Sequence, residues 1–186
     1  MTEQHKVVKR RNAVQTRASI LTAAFDAFAE LGYAKTGTRE IASKVGISSS
    51  LINRYFGSKA NLFEEALVHG IYSHSLFVQN KEHFGREMAK LMVGENNPNL
   101  TAMMVMAIAD PQSHAIAQKV AARHVLEPLA EWLGPPQAKA RAINMLVLLN
   151  GFSIQLKLTH TPMPKDSIRW FARALQAIVD GGNQAS

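Results

Sequence analysis

Cysteine is absent from all 186 residues. The chain therefore has no disulfide framework, no thiolate metal ligand and no cysteine nucleophile, which fits a reducing compartment. Long apolar runs are also missing, because the most apolar segment, residues 143–158, contains Asn144, Asn150, Gln155 and Lys157. It is too short and too polar to cross a bilayer, and no apolar stretch follows the basic N-terminus as a secretory signal requires. We expect a cytoplasmic protein with no membrane partner.

Motifs of common enzyme classes are missing as well. The chain has no Gly-rich phosphate loop, no HExxH and no nucleophile elbow. His83 and Glu87 stand four residues apart, but a single pair is a weak basis for a metal site, and solvated surface side chains are the simpler interpretation. We expect no enzyme activity, no catalytic residue, no metal and no cofactor.

Positive charge is concentrated in the first third of the chain, whose formal net charge is +7. Residues 1–62 contain ten Lys or Arg and four Asp or Glu, a balance of +6, whereas residues 63–186 contain eleven and ten, a balance of +1. Such a local excess suits a polyanion, because each phosphate neutralised by Lys or Arg releases counterions. A merely solvated basic face is the alternative at this point.

Nearly every segment has the apolar spacing of a helix, and no alternating strand pattern is found. We expect an all-α protein of about nine helices, preceded by a flexible basic arm at residues 1–13. The first helix carries an apolar stripe from Thr16 to Leu31 and ends at Gly32. The others are predicted at residues 38–45, 48–55, 59–80, 86–93, 98–109, 112–133, 136–159 and 165–180. Pro128 should kink or split the helix at 112–133.

Residues 37–56, GTREIASKVGISSSLINRYF, have the spacing of a helix-turn-helix. Gly46 permits the left-handed backbone of a tight turn, and Ile41, Val45, Ile52 and Phe56 should face inward. The outward side chains are short and polar, the types that read base edges in the major groove. They are Ser49, Ser50, Asn53 and Arg54, with Leu51 and Tyr55 at the margins.

The wider pattern resembles the N-terminal domain of the TetR family of transcriptional regulators, over about residues 14–63. The matching positions are Phe28, Leu31-Gly32-Tyr33, Thr38 to Ala42, Val45 to Ser48, Tyr55 to Lys59, and Leu62-Phe63. The resemblance implies a dimeric repressor that binds a palindromic double-stranded operator and is released by a small ligand. The methionines concentrated in residues 88–106 favour an apolar effector. The resemblance also implies that Thr38 and Arg39 hold the DNA backbone and flanking bases, that Ser49, Ser50 and Leu51 approach base edges, and that Tyr55 and Lys59 grip phosphates.

We add Ser48, Asn53 and Arg54 to the predicted DNA contacts. Asn53 stands where the family usually has a tyrosine. An asparagine can pair with adenine through two hydrogen bonds, or it can simply solvate the helix, and both interpretations stay open.

Residues 64–186 are predicted to form a helical regulatory and dimerisation domain. Asp110-Pro111 and Leu126 to Leu129 resemble a subgroup of the same family. A four-helix dimer interface is expected from Leu149 and Phe152 in the apolar helix and from Phe171 and Leu175 in the last one. The predicted ligand pocket consists of His74, Phe77, Phe84, Met88, Met92, Met103, Met104 and His114. A core filled with methionine is the alternative to a pocket.

Two other functions are compatible with these patterns. One is an all-α binding or adaptor module without specific DNA binding, and the other is a helical metal or cofactor enzyme. DNA binding that is both sequence-selective and salt-sensitive would separate the regulator from the adaptor.

Overall fold

A computed structural model describes residues 3–73, 80–94, 100–158 and 162–181, with side chains from residue 13 onward. Over these ranges the fold is all α and has no strand, which confirms the predicted class. No helix among them is long and apolar enough to cross a membrane. The helices are α1 (Glu3–Lys35), α2 (Thr38–Val45), α3 (Ser49–Phe56), α4 (Lys59–Ser73), α5 (Phe84–Val93), α6 (Leu100–Ala107), α7 (Pro111–Ala121), α8 (Glu127–Leu133), α9 (Ala138–Leu158) and α10 (Lys165–Val179).

The helix predicted at 112–133 is divided, as Pro128 indicates. A π-helical turn, Ala122–Leu126, joins α7 to α8, and Pro128 lies in the first turn of α8. Proline has no N–H to donate to the preceding turn and its ring crowds that turn, so the regular α-helix is interrupted here. If α7, the π turn and α8 are counted as one continuous helix, the described ranges contain nine helices, the number predicted from the sequence.

Two local predictions require correction. Helix α1 begins at Glu3, so residues 3–13 have helical backbone where an irregular arm is expected, because neither Gly nor Pro interrupts the chain before Gly32. At Gly32 the backbone leaves the helix with φ 77° and ψ 167°, although helical hydrogen bonding continues to Lys35. The helix predicted at residues 86–93 begins two residues earlier, at Phe84, so Gly85 lies inside α5.

The chain divides into two compact units that do not follow the sequence boundary at residue 64. The first unit comprises the chain up to Gly70 together with Ala102–Gln118, so that α6 and most of α7 belong with the N-terminal helices. Two contacts show why. A Cβ atom at Gly32 would lie 3.0 Å from the Cε atom of Met106, and the Tyr33 hydroxyl donates to Gln112 Oε1 at 2.9 Å.

Aromatic rings form the centre of the first unit. The Phe63 ring packs edge-on against both Phe28 and Tyr33, with centroids 5.0 and 5.2 Å apart. Helix α4 crosses α1 closely at Gly70, where a Cβ atom would lie 2.1 Å from the Phe25 ring. These contacts fix the frame on which α2 and α3 are carried.

In the second unit, α10 packs against α5 at a position where only glycine fits. A Cβ atom at Gly85 would lie 2.0 Å from the carbonyl oxygen of Ala172. The Phe171 ring stacks on Phe152 of α9, with centroids 3.8 Å apart, and both belong to the same apolar core. Helices α5, α8, α9 and α10 therefore share one core.

Arg141 of α9 joins the ends of three segments of this unit. The residue is 8% exposed, and its guanidinium donates to four backbone carbonyls. These are Ile178 and Val179 at the end of α10, each at 2.8 Å, Gly134 after α8 at 3.0 Å, and Pro136 at 3.1 Å. Nothing in its local sequence indicates this arrangement.

Candidate functional site

Helices α2 and α3 form the predicted helix-turn-helix. Gly46 ends α2 in the left-handed conformation, φ 73° and ψ 34°, and Ile47 N–H donates to Ala42 O at 3.0 Å. Ile41 of α2 and Ile52 and Phe56 of α3 are buried, as their spacing predicts. The turn thus holds α3 at a defined angle and leaves its other face free.

The outer face of α3 is polar. Ser50, Asn53 and Arg54 are exposed, whereas Ser49, Leu51 and Tyr55 are half-buried at its margins. Helix α3 carries no acidic residue in its first turn, and the Arg54 guanidinium lies 5.9 Å from the centroid of the Tyr55 ring. Such a surface offers one amide and one guanidinium to a partner, both able to form two parallel hydrogen bonds with a base edge.

The start of each helix adds to this face. Ser48 occupies the N-cap position of α3, but its hydroxyl pairs with Ser50 Oγ at 2.9 Å instead of accepting from a backbone N–H. In the first turn of α2, Thr38 is half-buried and Arg39 is exposed. These positions place Arg39 and Arg54 on the two helices of the motif.

Lys59 is held more tightly than a freely exposed phosphate ligand. Its Nζ lies 4.5 Å from the centroid of the Tyr33 ring and donates to Ala34 O at 3.4 Å. Burial lowers the pKa of Lys59 below its ordinary value, while the negative charge of Asp110 acts in the opposite direction. The Lys59 ammonium therefore already has interaction partners within the first unit.

Asp110 and Gln112 hold the start of α7 against the same residues. The Asp110 carboxylate caps α7 by accepting from the backbone N–H groups of Gln112 and Ser113, each at 3.0 Å. Burial raises the pKa of Tyr33, and the charge of Asp110 raises it further. Tyr33, Lys59, Asp110 and Gln112, here called the Tyr33 cluster, join the end of α1 to the starts of α4 and α7. In the sequence only the Asp110-Pro111 pair hints at this junction.

A second link that sequence reasoning misses involves Arg17 of α1. Its guanidinium forms an ion pair with Glu65 of α4 and lies 5.0 Å from the centroid of the Phe56 ring at the end of α3. One side chain of α1 thus contacts both α3 and α4. A lone arginine beside an apolar stripe carries no signal for this role.

The predicted pocket residues are divided between the two units, apart from two that lie outside the described residues. Phe84, Met88 and Met92 are buried in the core of the second unit, where the Phe84 ring lies 4.9 Å from that of Trp132. For these three the methionine-filled core fits better than a pocket. Met103, Met104 and His114 belong to the first unit, with Met103 fully buried, and His74 and Phe77 lie outside the described residues.

An open groove of about 690 Å³ does exist in the first unit, between α1 and α2. Its lining includes Ser19, Thr22, Asp26 and Lys44, and none of the predicted pocket residues. In the part of the chain that the structure describes, no group of three His, Asp or Glu could hold a metal ion.

The predicted dimer residues lie in or beside the core of the second unit. Phe171 and Leu175 are 0% exposed in the single chain, because the apolar stripe of α10 packs against α5. Leu149 and Phe152 are half-buried against the same core. Apolar side chains are exposed along the outer face of α9 and at one position of α10. They are Ile143, Val147, Ile154, Leu158 and Trp170, here called the outer α9 face.

Family models match most of the chain. Residues 20–66 match the model described as bacterial regulatory proteins of the tetR family, and residues 82–179 match the tetracyclin repressor-like C-terminal domain. No curated protein matches the chain significantly in sequence.

Solved structures share the fold over nearly the whole chain. A TetR-family regulator from Streptomyces coelicolor is 25% identical, with a TM-score of 0.51 over 90% of this chain and 96% of that one. A TetR-family transcriptional regulator from Rhodococcus sp. has a TM-score of 0.72 at 15% identity, over 89% and 99%. A transcriptional regulator from Saccharomonospora viridis, solved with choline, has a TM-score of 0.60 at 17% identity, over 90% and 97%.

Proposed function

Because this chain belongs to the TetR family of DNA-binding transcriptional regulators, we propose that it is a cytoplasmic repressor that binds a palindromic operator as a homodimer and is released by a small molecule. The observation that carries the proposal is the exposed polar face of α3, in a helix-turn-helix where the opposite face of α3 is buried. A recognition helix needs this division, since its inner face fixes the docking angle and its outer face enters the major groove.

Asn53 is the residue we propose to read a base. It is exposed on the outer face of α3 between Ser50 and Arg54. Its amide N–H can donate to N7 of adenine while its amide oxygen accepts from the N6 amino group of the same base. We propose that the other predicted residues, from Thr38 and Arg39 to Tyr55, position the helix on the DNA backbone or the neighbouring bases.

The experiment is selection of bound duplexes from a random library, followed by affinity measurements on the selected sequence and its single-base variants. Asn53→Ala should relax the preference at one base pair in each half-site, by about 1–3 kcal/mol. Asn144→Ala on α9, also exposed, is the matched control and should leave the preference unchanged. An unchanged preferred sequence for Asn53→Ala would exclude base reading by this residue, and failure to select any sequence would exclude the repressor.

The outer α9 face supports the homodimer. Val147 is 64% exposed and Trp170 56% exposed, and Ile143, Ile154 and Leu158 extend the same apolar surface along α9. Exposed apolar side chains at helical spacing along one face are typical of a protein interface, and a two-fold axis through this face would pair α9 with its copy. Two recognition helices can then reach half-sites about one DNA turn apart.

Val147→Glu tests this interface, because a carboxylate at its centre would be desolvated without a partner. Sedimentation should give a mass near twice 20.5 kDa for the wild type and a weakened or dissociated dimer for the variant. Val93→Glu on α5, where the valine is 42% exposed, is the matched control and should stay dimeric. Equal dimer affinity for the two variants would contradict the interface.

Release by a small molecule is the last part of the proposal. The fold accommodates choline in the Saccharomonospora viridis protein, which makes choline and other small organic molecules the first compounds to screen by thermal shift. The Tyr33 cluster joins the start of α4, next to the recognition helix, to the start of α7, and we propose that release changes this junction. Any effector must then bind more weakly in the presence of operator, by the factor by which it weakens DNA binding. Calorimetry with and without the selected duplex measures this, and equal affinities would exclude release.

A further inference from the structure

The groove of about 690 Å³ in the first unit has two walls of different chemistry. One wall is a face of α1 and the other is the end of α2. The polar residues of the α1 wall are Gln15, Ser19, Thr22 and Asp26, at intervals of three and four residues, so they share one face of the helix over about three turns, or about 16 Å. The volume lies within the range of small-molecule sites, roughly 300–1,000 Å³.

The α1 wall offers hydrogen-bond acceptors. The hydroxyl groups of Ser19 and Thr22 each donate to the carbonyl oxygen four residues earlier, at 3.1 and 3.2 Å. A hydroxyl has one proton and two lone pairs, so both oxygens can also accept, and on Thr22 the His69 Nε2 atom at 3.2 Å takes one of these lone pairs. Together with the Asp26 carboxylate, these oxygens suit a ligand group that carries several N–H donors and a positive charge.

The α2 wall carries the opposite charge. Lys44 lines the groove from α2, and its ammonium group donates three hydrogen bonds and accepts none, so it suits a carboxylate. Lys44 and Asp26 are both exposed, and neither forms a hydrogen bond or an ion pair with another of the residues that the structure describes. Ala23 and Val45, which are half-buried, add apolar surface to the lining. The groove thus presents one anion and one cation, neither of them paired, beside an apolar surface.

We propose that this groove binds a small zwitterion, a molecule whose ammonium and carboxylate groups are joined by a short carbon chain. The ammonium group pairs with Asp26 and the oxygens of the α1 wall, and the carboxylate pairs with Lys44. A ligand with a single charge would satisfy only one of the two walls. The inference adds a ligand site to the helix-turn-helix unit, and it depends neither on operator binding nor on dimerisation.

The test is a titration of the full-length, isotope-labelled protein, followed by two-dimensional NMR at low salt because salt screens exposed charges. The zwitterions are glycine, 4-aminobutyrate and 6-aminohexanoate, whose charges are increasingly far apart, and the singly charged compounds are n-butylammonium and butyrate. At least one zwitterion should bind more tightly than both singly charged compounds. The amide signals that move should belong to residues 15–26 and 44–45, which line the groove.

Two variants separate the contributions of the two charges. Asp26→Asn should weaken the binding of the zwitterion and of n-butylammonium but not that of butyrate. Lys44→Gln should weaken the binding of the zwitterion and of butyrate but not that of n-butylammonium. The expected increase in Kd is about three- to fivefold for each variant, the size of the effect of an exposed ion pair. Both substitutions are at exposed positions and nearly keep the size of the side chain, so the fold should be retained.

The matched control removes one anion and one cation from exposed positions of the second unit. Glu131→Gln/Lys139→Gln should leave every affinity unchanged. The inference would be overturned by equal affinities for zwitterions and singly charged compounds, by wild-type affinity in both Asp26→Asn and Lys44→Gln, or by no zwitterion binding up to about 50 mM. None of these measurements uses DNA, so such a result would leave the proposed operator binding intact.

Discussion

Replacing Arg141 by methionine should destabilise the second unit more than any surface substitution. Methionine keeps much of the length and apolar volume of the side chain but donates no hydrogen bond. Four carbonyls would lose the guanidinium as a donor, those of Ile178, Val179, Gly134 and Pro136. Two of them belong to the last turn of α10, where the helix dipole also favours a cation.

The magnitude follows from opposing contributions. A hydrogen bond to a charged group is worth about 1.5–3 kcal/mol, so four of them sum to about 6–12 kcal/mol. Burial of the guanidinium costs several kcal/mol, which the variant no longer incurs, and water can reach some of the freed carbonyls. We expect a net loss of about 3–5 kcal/mol in the free energy of unfolding. Arg141→Lys should lose less, because an ammonium reaches some of the carbonyls but cannot spread its donors as a planar fork does.

Urea unfolding followed by circular dichroism measures this loss, at one fixed protein concentration because the proposed dimerisation would shift the midpoint. Arg173→Met, at an exposed position of α10, is the matched control and should change the unfolding free energy by less than about 0.5 kcal/mol. Equal losses for Arg141→Met and Arg173→Met would refute the account of Arg141 as the residue that holds these chain ends together.

Three further predictions concern the packing of the two units. Gly85→Ala should lower the unfolding free energy by about 1–3 kcal/mol or more, because the new methyl group would overlap a backbone carbonyl of α10, and an unchanged urea midpoint would contradict this. Tyr33→Phe removes the bond to Gln112 and should cost about 1 kcal/mol at neutral pH. The raised pKa of Tyr33 means that the folded state keeps its proton longer than the unfolded one, so wild-type stability should fall as pH rises above 10.0, and the variant should lose that part of the decline. Asp110→Asn keeps the α7 cap but removes a charge that favours protonated Lys59, so the pKa of Lys59, followed by NMR, should fall further, and an unchanged value would exclude the coupling.

The helix-turn-helix is the part of this protein that its sequence determines most fully. Ile41, Ile52 and Phe56 are buried and Asn53 and Arg54 exposed as their spacing predicts. The reason is that the spacing operates within one or two turns of a helix, and Gly46 needs only its own backbone conformation to make the turn. Residues close in sequence are sufficient to specify such a motif.

Partners that lie far apart in sequence were decided by tertiary structure alone. An apolar stripe indicates that a helix buries one face, but not whether it packs against its own chain or against a second copy. In the structure Phe171 and Leu175 lie in the core of the second unit. Likewise, the sequence around a Lys or Arg does not indicate which groups will accept its hydrogen bonds. Arg141 bonds carbonyls 37 and 38 residues away, and Lys59 packs on a ring at position 33, because packing of whole helices brings those groups within reach.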